Sequence, residues 1–338
     1  MMKILKYFGL FLLVLIAALA SYTYSLTFTP HGRMDWRQAA YAKIFTVVIA
    51  PQPTDVARLV QENLEKNKPE TILPAVSSFQ HFKITADSLP VYVYKSANIK
   101  PNSPVVIYFH GGGFVIPLIS DGHRFARKYA NAFDAIIVAV DYRVAPQYPY
   151  PAAVNDCYNT FKWVLENAKT IGGNPEKIAV IGESAGGNLA AVVSQKALKD
   201  GYTNIKHQTL FCPSTDIAHV YSYPSNKALQ NGYILDKKFM DYFFDAYLPN
   251  KSDTFNADAS PLLQSSFVGL PQAFVITAQF DPIKDEGVAY YHKLKQAGVP
   301  TKYKNMEGCL HVVQGPWVDN LNDDLNKEIA VELSKAFK

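Results

Sequence analysis

Residues 178–190 read IAVIGESAGGNLA. A run of apolar, mostly β-branched residues ends at Gly182, and a serine stands at 184 among small residues. A stretch with helical composition follows. The pattern is Gly-x-Ser-x-Gly placed where a buried strand gives way to a helix. Such a turn leaves little room around the serine, so its neighbours have to be glycine or alanine. It lifts the hydroxyl above the sheet edge, and the next helix offers unpaired N–H groups that favour negative charge.

Working outward, VVIYFH (105–110), AIIVAVD (135–141), KIAVIG (177–182) and QAFVITAQF (272–280) are short, nearly unbroken apolar runs. Runs of that kind suit parallel strands covered on both faces. Helical patterns lie between them at 121–133, 152–169 and 185–199, so the expected class is α/β, a mostly parallel sheet with helices on both sides. FQHFKITA (79–86) and LPVYVYK (89–95) alternate with period two and suggest an antiparallel edge. Residues 27–78 read as a helical region, clearest in TDVARLVQENLEKN (54–67), that contributes to a cap. The catalytic domain is then 79–338. Residues 213–260 break the strand–helix rhythm, either as a surface excursion or as a cap insertion. In the second reading Tyr233, Phe239, Tyr242, Phe243 and Phe244 wall a pocket.

A serine nucleophile needs oxyanion donors, a base and an orienting acid. His110-Gly111-Gly112-Gly113-Phe114 follows directly on a strand, and consecutive glycines let backbone N–H groups approach a substrate. With the N–H of Ala185 they form a candidate oxyanion hole. The rival reading, a phosphate loop, lacks the Lys-Ser/Thr that would follow. Of the eight histidines, only His292 and His311 lie beyond the 272–280 strand. His292 sits in a helical stretch, AYYHKLKQAG, whereas His311 sits in a loop, GCLHVV, and is the candidate base. Asp281 follows the strand immediately and precedes Pro282, so it is the candidate acid. Asp285 and Glu286 fall in the first turn of the next helix, where acids ordinarily act as caps.

HGGG at 110–113, DYRVAPQYPYPAA at 141–153, GESAGGNLA at 182–190, DPIKDEG at 281–287 and the late loop histidine together resemble the hormone-sensitive-lipase-like carboxylesterases. That family, which includes bacterial and arylacetamide-deacetylase-like esterases, belongs to the α/β-hydrolase superfamily. The resemblance implies Ser184 as nucleophile, Asp281 as acid and His311 as base. It places Gly111, Gly112, Gly113 and Ala185 around the oxyanion, and Asp141 and Arg143 as braces of the catalytic loops. Phe114, Tyr233 and Phe243 are the expected substrate contacts. Three positions depart from the family pattern. Gln147 replaces a glutamate, Glu183 a frequent aspartate, and Val312-Val313 the usual Gly-Phe after the histidine.

The resulting expectation is a serine carboxylesterase acting on short- to medium-chain or aryl esters, with no metal or organic cofactor. Amide deacetylation and lactone opening would use the same machinery, and a non-catalytic binding protein on a decayed hydrolase fold is the third reading. The 33 Lys+Arg against 29 Asp+Glu give a net charge of +4 with no basic stripe, so the expected partner is a small ester, with no nucleic acid. Cys157, Cys212 and Cys309 match neither a zinc spacing nor a disulfide framework. Lys3 and Lys6 precede an uncharged run from Tyr7 to Leu26. This is a secretory signal ending at Ala18-Leu19-Ala20, a retained membrane anchor, or a buried helix. Either of the first two puts the catalytic part outside the cytoplasm. The oligomeric state has no signature here.

Overall fold

A computed structural model of the chain describes residues 2–49, 52–55, 58, 75–85, 88–312 and 319–338. It begins with one helix, α1 (Met2–Leu26), of which Tyr7–Leu26 is apolar enough to cross a membrane and is not buried by the rest of the chain. At about 1.5 Å per residue, 20 residues reach about 30 Å, the thickness of a bilayer's hydrocarbon core. The end of α1 is tied directly to the adjoining chain. Thr27 is buried, its N–H donates to Tyr24 O at 3.1 Å, and Met34 N–H donates to Thr27 O at 2.8 Å.

The expectation of a wholly helical 27–78 region needs correcting at its start. Residues 28–33 form a short hairpin, Phe28–Thr29 against Gly32–Arg33. Pro30 and Gly32, the latter at φ +113°, turn the chain there. Helix α2 (Trp36–Lys43) then starts on Asp35, whose carboxylate accepts the N–H groups of Arg37 and Gln38. Most of the helix expected over 54–67 lies outside the described residues.

The central sheet has eight strands. They are β1 (Ser78–Ile84), β2 (Leu89–Lys95), β3 (Ser103–Phe109), β4 (Ile136–Val140), β5 (Gly173–Glu183), β6 (Ile205–Phe211), β7 (Gln272–Phe280) and β8 (Thr301–Leu310). In space the order is β8-β7-β6-β5-β3-β4-β2-β1, with the β1–β2 and β2–β4 pairs antiparallel and the rest parallel. Five helices alternate with the later strands: α3 (Ser120–Phe133), α4 (Ala152–Asn167), α5 (Ala185–Lys199), α8 (Lys284–Gln296) and α9 (Asp319–Ala336).

Because side chains alternate along a strand, each strand feeds two cores. Val105, Ile107 and Phe109 pack with α4, α5 and α8, while Val106 and Tyr108 pack with α3 and α9. The unbroken Val/Ile runs follow from burial on both faces. Strand β6 has no such run. Its middle reads His207-Gln208-Thr209, all three fully buried and hydrogen-bonded: Gln208 Nε2 donates to Pro271 O at 3.1 Å, and His207 Nε2 lies 3.1 Å from Thr209 Oγ1. Buried polar side chains at its centre hide this strand from an apolar-run search.

Between β6 and β7, where the strand–helix rhythm is expected to lapse, the chain forms short 3₁₀ turns and two helices, α6 (Pro224–Leu229) and α7 (Lys237–Tyr247). Phe239 and Met240 of α7 are buried, and Phe243 faces Gly113 at the end of β3.

Candidate active site

The parallel register levels the ends of β3, β5 and β6, and β7 and β8 run on together four residues past that level. Phe109 pairs with Gly182, Glu183 with Phe211, Phe211 with Ile276, and Phe280 with Leu310. The residues just beyond those ends all lie at the carboxyl edge of the sheet: Gly111–Gly113 after β3, Ser184 after β5, Cys212 after β6, Asp281 after β7 and His311 after β8. A parallel sheet collects functional groups at its carboxyl edge in this way.

Ser184 adopts φ 55° and ψ −118°, a conformation that residues with side chains rarely take. The turn closes because Gly186 has no side chain. A Cβ there would meet Phe109 O at 1.9 Å, so strand β3 and helix α5 could not approach. Ser184 N–H donates to Phe211 O at 2.9 Å, and Ser184 O accepts from Asn188 N at 3.1 Å and Ser214 N at 3.2 Å, which fixes the residue from three sides. Asn188 also donates through Nδ2 to Ser214 O and Ala259 O, tying the elbow to the chain after β6.

With the serine so held, its Oγ lies 2.9 Å from His311 Nε2, and His311 Nδ1 lies 2.9 Å from Asp281 Oδ2. Asp281 is fully buried, and its other oxygen, Oδ1, accepts Ile283 N–H at 2.9 Å. His292 is exposed on α8 and joins no such arrangement. Of the other late acids, Glu286 is buried and accepts Thr215 N–H at 2.8 Å, and Asp285 accepts Ser225 N–H at 2.8 Å. The sequence marks these two as helix caps. Instead they clamp the segment after β6 onto α8, because its backbone N–H groups, buried beside the helix start, need acceptors.

The loop of His311 is braced by residues that local pattern cannot connect with it. Strand β8 is irregular between Met306 and Leu310, and Gly308 N–H donates to Gln279 Oε1 at 2.7 Å. Gly308 O accepts Asp35 N–H at 3.0 Å, and Leu310 N–H donates to Gln38 Oε1 at 3.2 Å. Gln38 and Leu310 are 272 positions apart in the chain. Val312 has φ 42°; Val313, the second departure in that loop, lies outside the described residues.

The glycine loop needs one correction. Gly112, Gly113 and Ala185 have backbone N–H groups with no acceptor among the described residues, but Gly111 N–H donates to Glu183 Oε1 at 3.1 Å. Glu183 is buried beside it and leaves Gly111 as a fastening of the loop, not a free donor. Gly113 has φ 60°, and a Cβ on it would strike the Phe243 ring at 2.3 Å, so the loop lies directly under α7. Asp141 Oδ1 accepts Leu118 N–H at 3.0 Å, and Arg143 forms a forked pair with Asp156 of α4 at 2.7 and 2.9 Å. Burial pushes the Asp141 carboxyl up to about 6.

Glu183 also accepts the Tyr108 hydroxyl at 2.5 Å, and burial raises its pKa to about 7. A carboxyl raised above its unfolded value stabilises the fold below the unfolded pKa, near 4.5, and loses that contribution as the pH rises through 7. Glu183→Gln removes the titration while keeping an oxygen for Tyr108 and Gly111. Its stability relative to the parent is therefore expected to improve between pH 5 and pH 8, by on the order of 3 kcal/mol. Thermal unfolding of both proteins across that range checks it; a constant difference contradicts the assignment.

Ser184 and His311 open onto a cavity of about 320 Å³ lined by Gly111–Gly113, Ile116, Phe125, Leu235 and Phe243. Phe114 is 1% exposed, stacks on Tyr247 at 3.8 Å, and borders a small void of about 20 Å³ that Ser184 and Ala185 also line. Tyr233 is displaced from its expected role. It stacks on Phe280 at 5.6 Å and borders a separate groove with Leu26 and Phe28. A larger cavity of about 640 Å³, where α1 meets the domain near Tyr24, Arg33 and Glu307, contains no nucleophile–base pair.

The sequence profile of the family described as alpha/beta hydrolase fold matches residues 106–315, from β3 to past His311. The chain belongs to this α/β-hydrolase family. The hydrolase is 38% identical to carboxylesterase NlhH of Mycobacterium tuberculosis over 226 residues, 66% of this chain and 70% of that protein. It is 33% identical to an arylesterase of Saccharolobus solfataricus over 265 residues, 77% and 84% of the two chains. Among solved structures it resembles an ester hydrolase from the Lake Arreo metagenome bound to a bipyridine phosphonate derivative. The TM-score is 0.80 at 31% identity, covering 90% of this hydrolase and 99% of that chain.

Proposed function

We propose that the hydrolase cleaves carboxylic esters through an acyl-enzyme on Ser184. The reading rests on one observation above the others: a single imidazole bridges a strained serine hydroxyl and a buried carboxylate, with 2.9 Å on each side. His311 takes the Ser184 proton as Oγ attacks the ester carbonyl, and Asp281 holds the ring in the required tautomer and offsets the imidazolium charge. The carbonyl oxygen, now negative, lies against the N–H groups of Gly112, Gly113 and Ala185, each such donor being worth about 3–4 kcal/mol at the transition state. His311 passes the proton to the leaving alcohol. Water then repeats the sequence against the acyl group and frees the serine.

Apolar walls and a cavity of about 320 Å³ favour short- to medium-chain or aryl esters. The names of the relatives, carboxylesterase and arylesterase, support the same chemistry. Helix α1 is read as a membrane anchor or signal segment, with Lys3 and Lys6 on the cytoplasmic side and the catalytic domain opposite. Rates on a p-nitrophenyl ester series from acetate to palmitate, with matched anilides, test the proposal. The expected profile peaks at short to medium chains and exceeds the anilide rates at least tenfold. A faster anilide reaction would instead make the protein an amide deacetylase.

A further inference from the structure

The segment that follows α1 turns apolar side chains outward. Phe28, Trp36, Ile44 and Val47 are each between 51% and 59% exposed. Beyond Val47, the large apolar side chains more than half exposed among the described residues are Phe255, Val268 and Val331, which stand far apart in the chain. Single exposed apolar residues are ordinary, whereas a cluster marks a contact surface. Helix α2 already has a core-facing side in Gln38, Ala39 and Ala42. At 3.6 residues per turn, Trp36, Ala40 and Ile44 form a second stripe on the other side, and a π-helical turn over Ile44–Ile49 carries it on to Val47.

This surface is continuous with the end of α1. The Tyr24 and Phe28 rings meet edge to face at 5.2 Å, Phe28 and Val47 line one groove, and Trp36 borders one cavity with Ala20, Thr23 and Tyr24. Ala20 stands six residues before the end of the apolar stretch Tyr7–Leu26, about 9 Å along the helix axis. A bilayer that takes in α1 as far as Leu26 therefore reaches the level of Trp36. Three cations, Arg33, Arg37 and Lys43, stand between positions 27 and 47 against one acid, Asp35, which pairs with Arg37 at 3.0 Å. Glu307, across the cavity from Trp36, accepts a hydrogen bond from Asn305 at 2.7 Å. Arg33 lies over the Tyr24 and Phe28 rings at 5.3 and 5.5 Å, and Lys43 borders the groove with Phe28 and Val47.

We propose that this face of the catalytic domain rests on the membrane that holds α1. Phe28, Trp36, Ile44 and Val47 enter the boundary between acyl chains and headgroups, and Arg33 and Lys43 meet anionic phospholipid headgroups. The inference rests on reading α1 as a retained membrane segment and extends the contact to the domain itself. Aromatic rings favour that depth, and long basic side chains bury their stems while their charges reach the headgroups. An apolar helix face flanked by cations binds anionic bilayers by the same two forces. The hydrogen bonds of Thr27 to Tyr24 and of Met34 to Thr27 leave little slack between α1 and the surface, so the domain is held in one orientation.

The test places the full chain in lipid nanodiscs of equal parts phosphatidylcholine and phosphatidylglycerol, with or without bromine near the top of the acyl chains. Trp36 emission is the difference between the parent and Trp36→Phe, because Trp163 and Trp317 are common to both. Hydrolysis of p-nitrophenyl butyrate by Trp36→Phe, expected within about twofold of the parent, shows that the variant folds. Bromine is expected to lower the Trp36 emission about twofold or more. Replacing phosphatidylglycerol with phosphatidylcholine is expected to weaken that quenching in the parent, but not in the double variant Arg33→Gln/Lys43→Gln.

Equal emission with and without bromine overturns the inference. So does emission shielded from bromine in discs that hold two copies of the chain, which would make the face a contact between copies. Quenching indifferent to phosphatidylglycerol overturns the role of the headgroups. Alkaline carbonate extraction of cell membranes separates the underlying reading: release of the protein refutes α1 as an anchor. Retention with unquenched Trp36 refutes the resting surface alone.

Discussion

Replacing Ser184 with alanine is expected to lower kcat toward p-nitrophenyl butyrate by about a millionfold while the protein folds as before. Serine contributes little to the fold beyond its backbone: its side chain makes no capping hydrogen bond to α5, and its Oγ meets His311. Alanine tolerates φ 55° as well as serine does, and the backbone bonds to Phe211, Asn188 and Ser214 are untouched. What disappears is the attacking oxygen. The expected size follows from the behaviour of serine nucleophiles elsewhere, where removing the nucleophile alone costs about as much as removing the whole triad. Steady-state rates with a check on thermal unfolding settle it. A rate within tenfold of the parent, in protein shown free of contaminating esterase, would end the acyl-enzyme reading.

His311→Ala is the second large effect, and its contrast with His292→Ala gives it discriminating power. Without the imidazole, Ser184 has no acceptor for its proton at 2.9 Å, and the buried Asp281 carboxylate loses the partner on Oδ2. The expected loss in kcat is again about a millionfold. His292 projects from the exposed side of α8, and its replacement is expected to leave kcat within about twofold. Equal losses from both histidines would show that the alanine changes act through stability. A larger loss at His292 would overturn the assignment of the base. Far-ultraviolet circular dichroism on the two variants separates these cases.

The legible parts of the protein are those where one local rule dominates. Gly182–Gly186 can be read from the sequence because close approach of two backbones permits no side chain, and Val105–Phe109 because burial on both faces leaves only apolar residues. Asp281 and His311 follow from the order in which strand-end loops reach one edge. The hidden parts depend on pairing across the chain. The buried polar centre of β6 gives no apolar run, and Gln38 is an ordinary helix residue until its Oε1 meets Leu310 N–H. Glu286 resembles a helix cap because its true partner, Thr215, is 71 positions away. Gly111 groups with its two neighbours because nothing local announces that Glu183 engages its N–H. Tyr233 groups with Phe243 by composition alone, whereas in space the two line separate cavities.

The contacts of Asp35 and Gln38 with Gly308 and Leu310 have a consequence for turnover of the enzyme in the cell. A protease that cut just after Gln38 would sever the support of the base's loop from the remainder, so cleavage there would leave an impaired catalyst. A cut within α1 would instead leave the support attached and liberate a working one. Placement of the scissile bond, on one side or the other of that support, thus separates inactivation from harmless trimming.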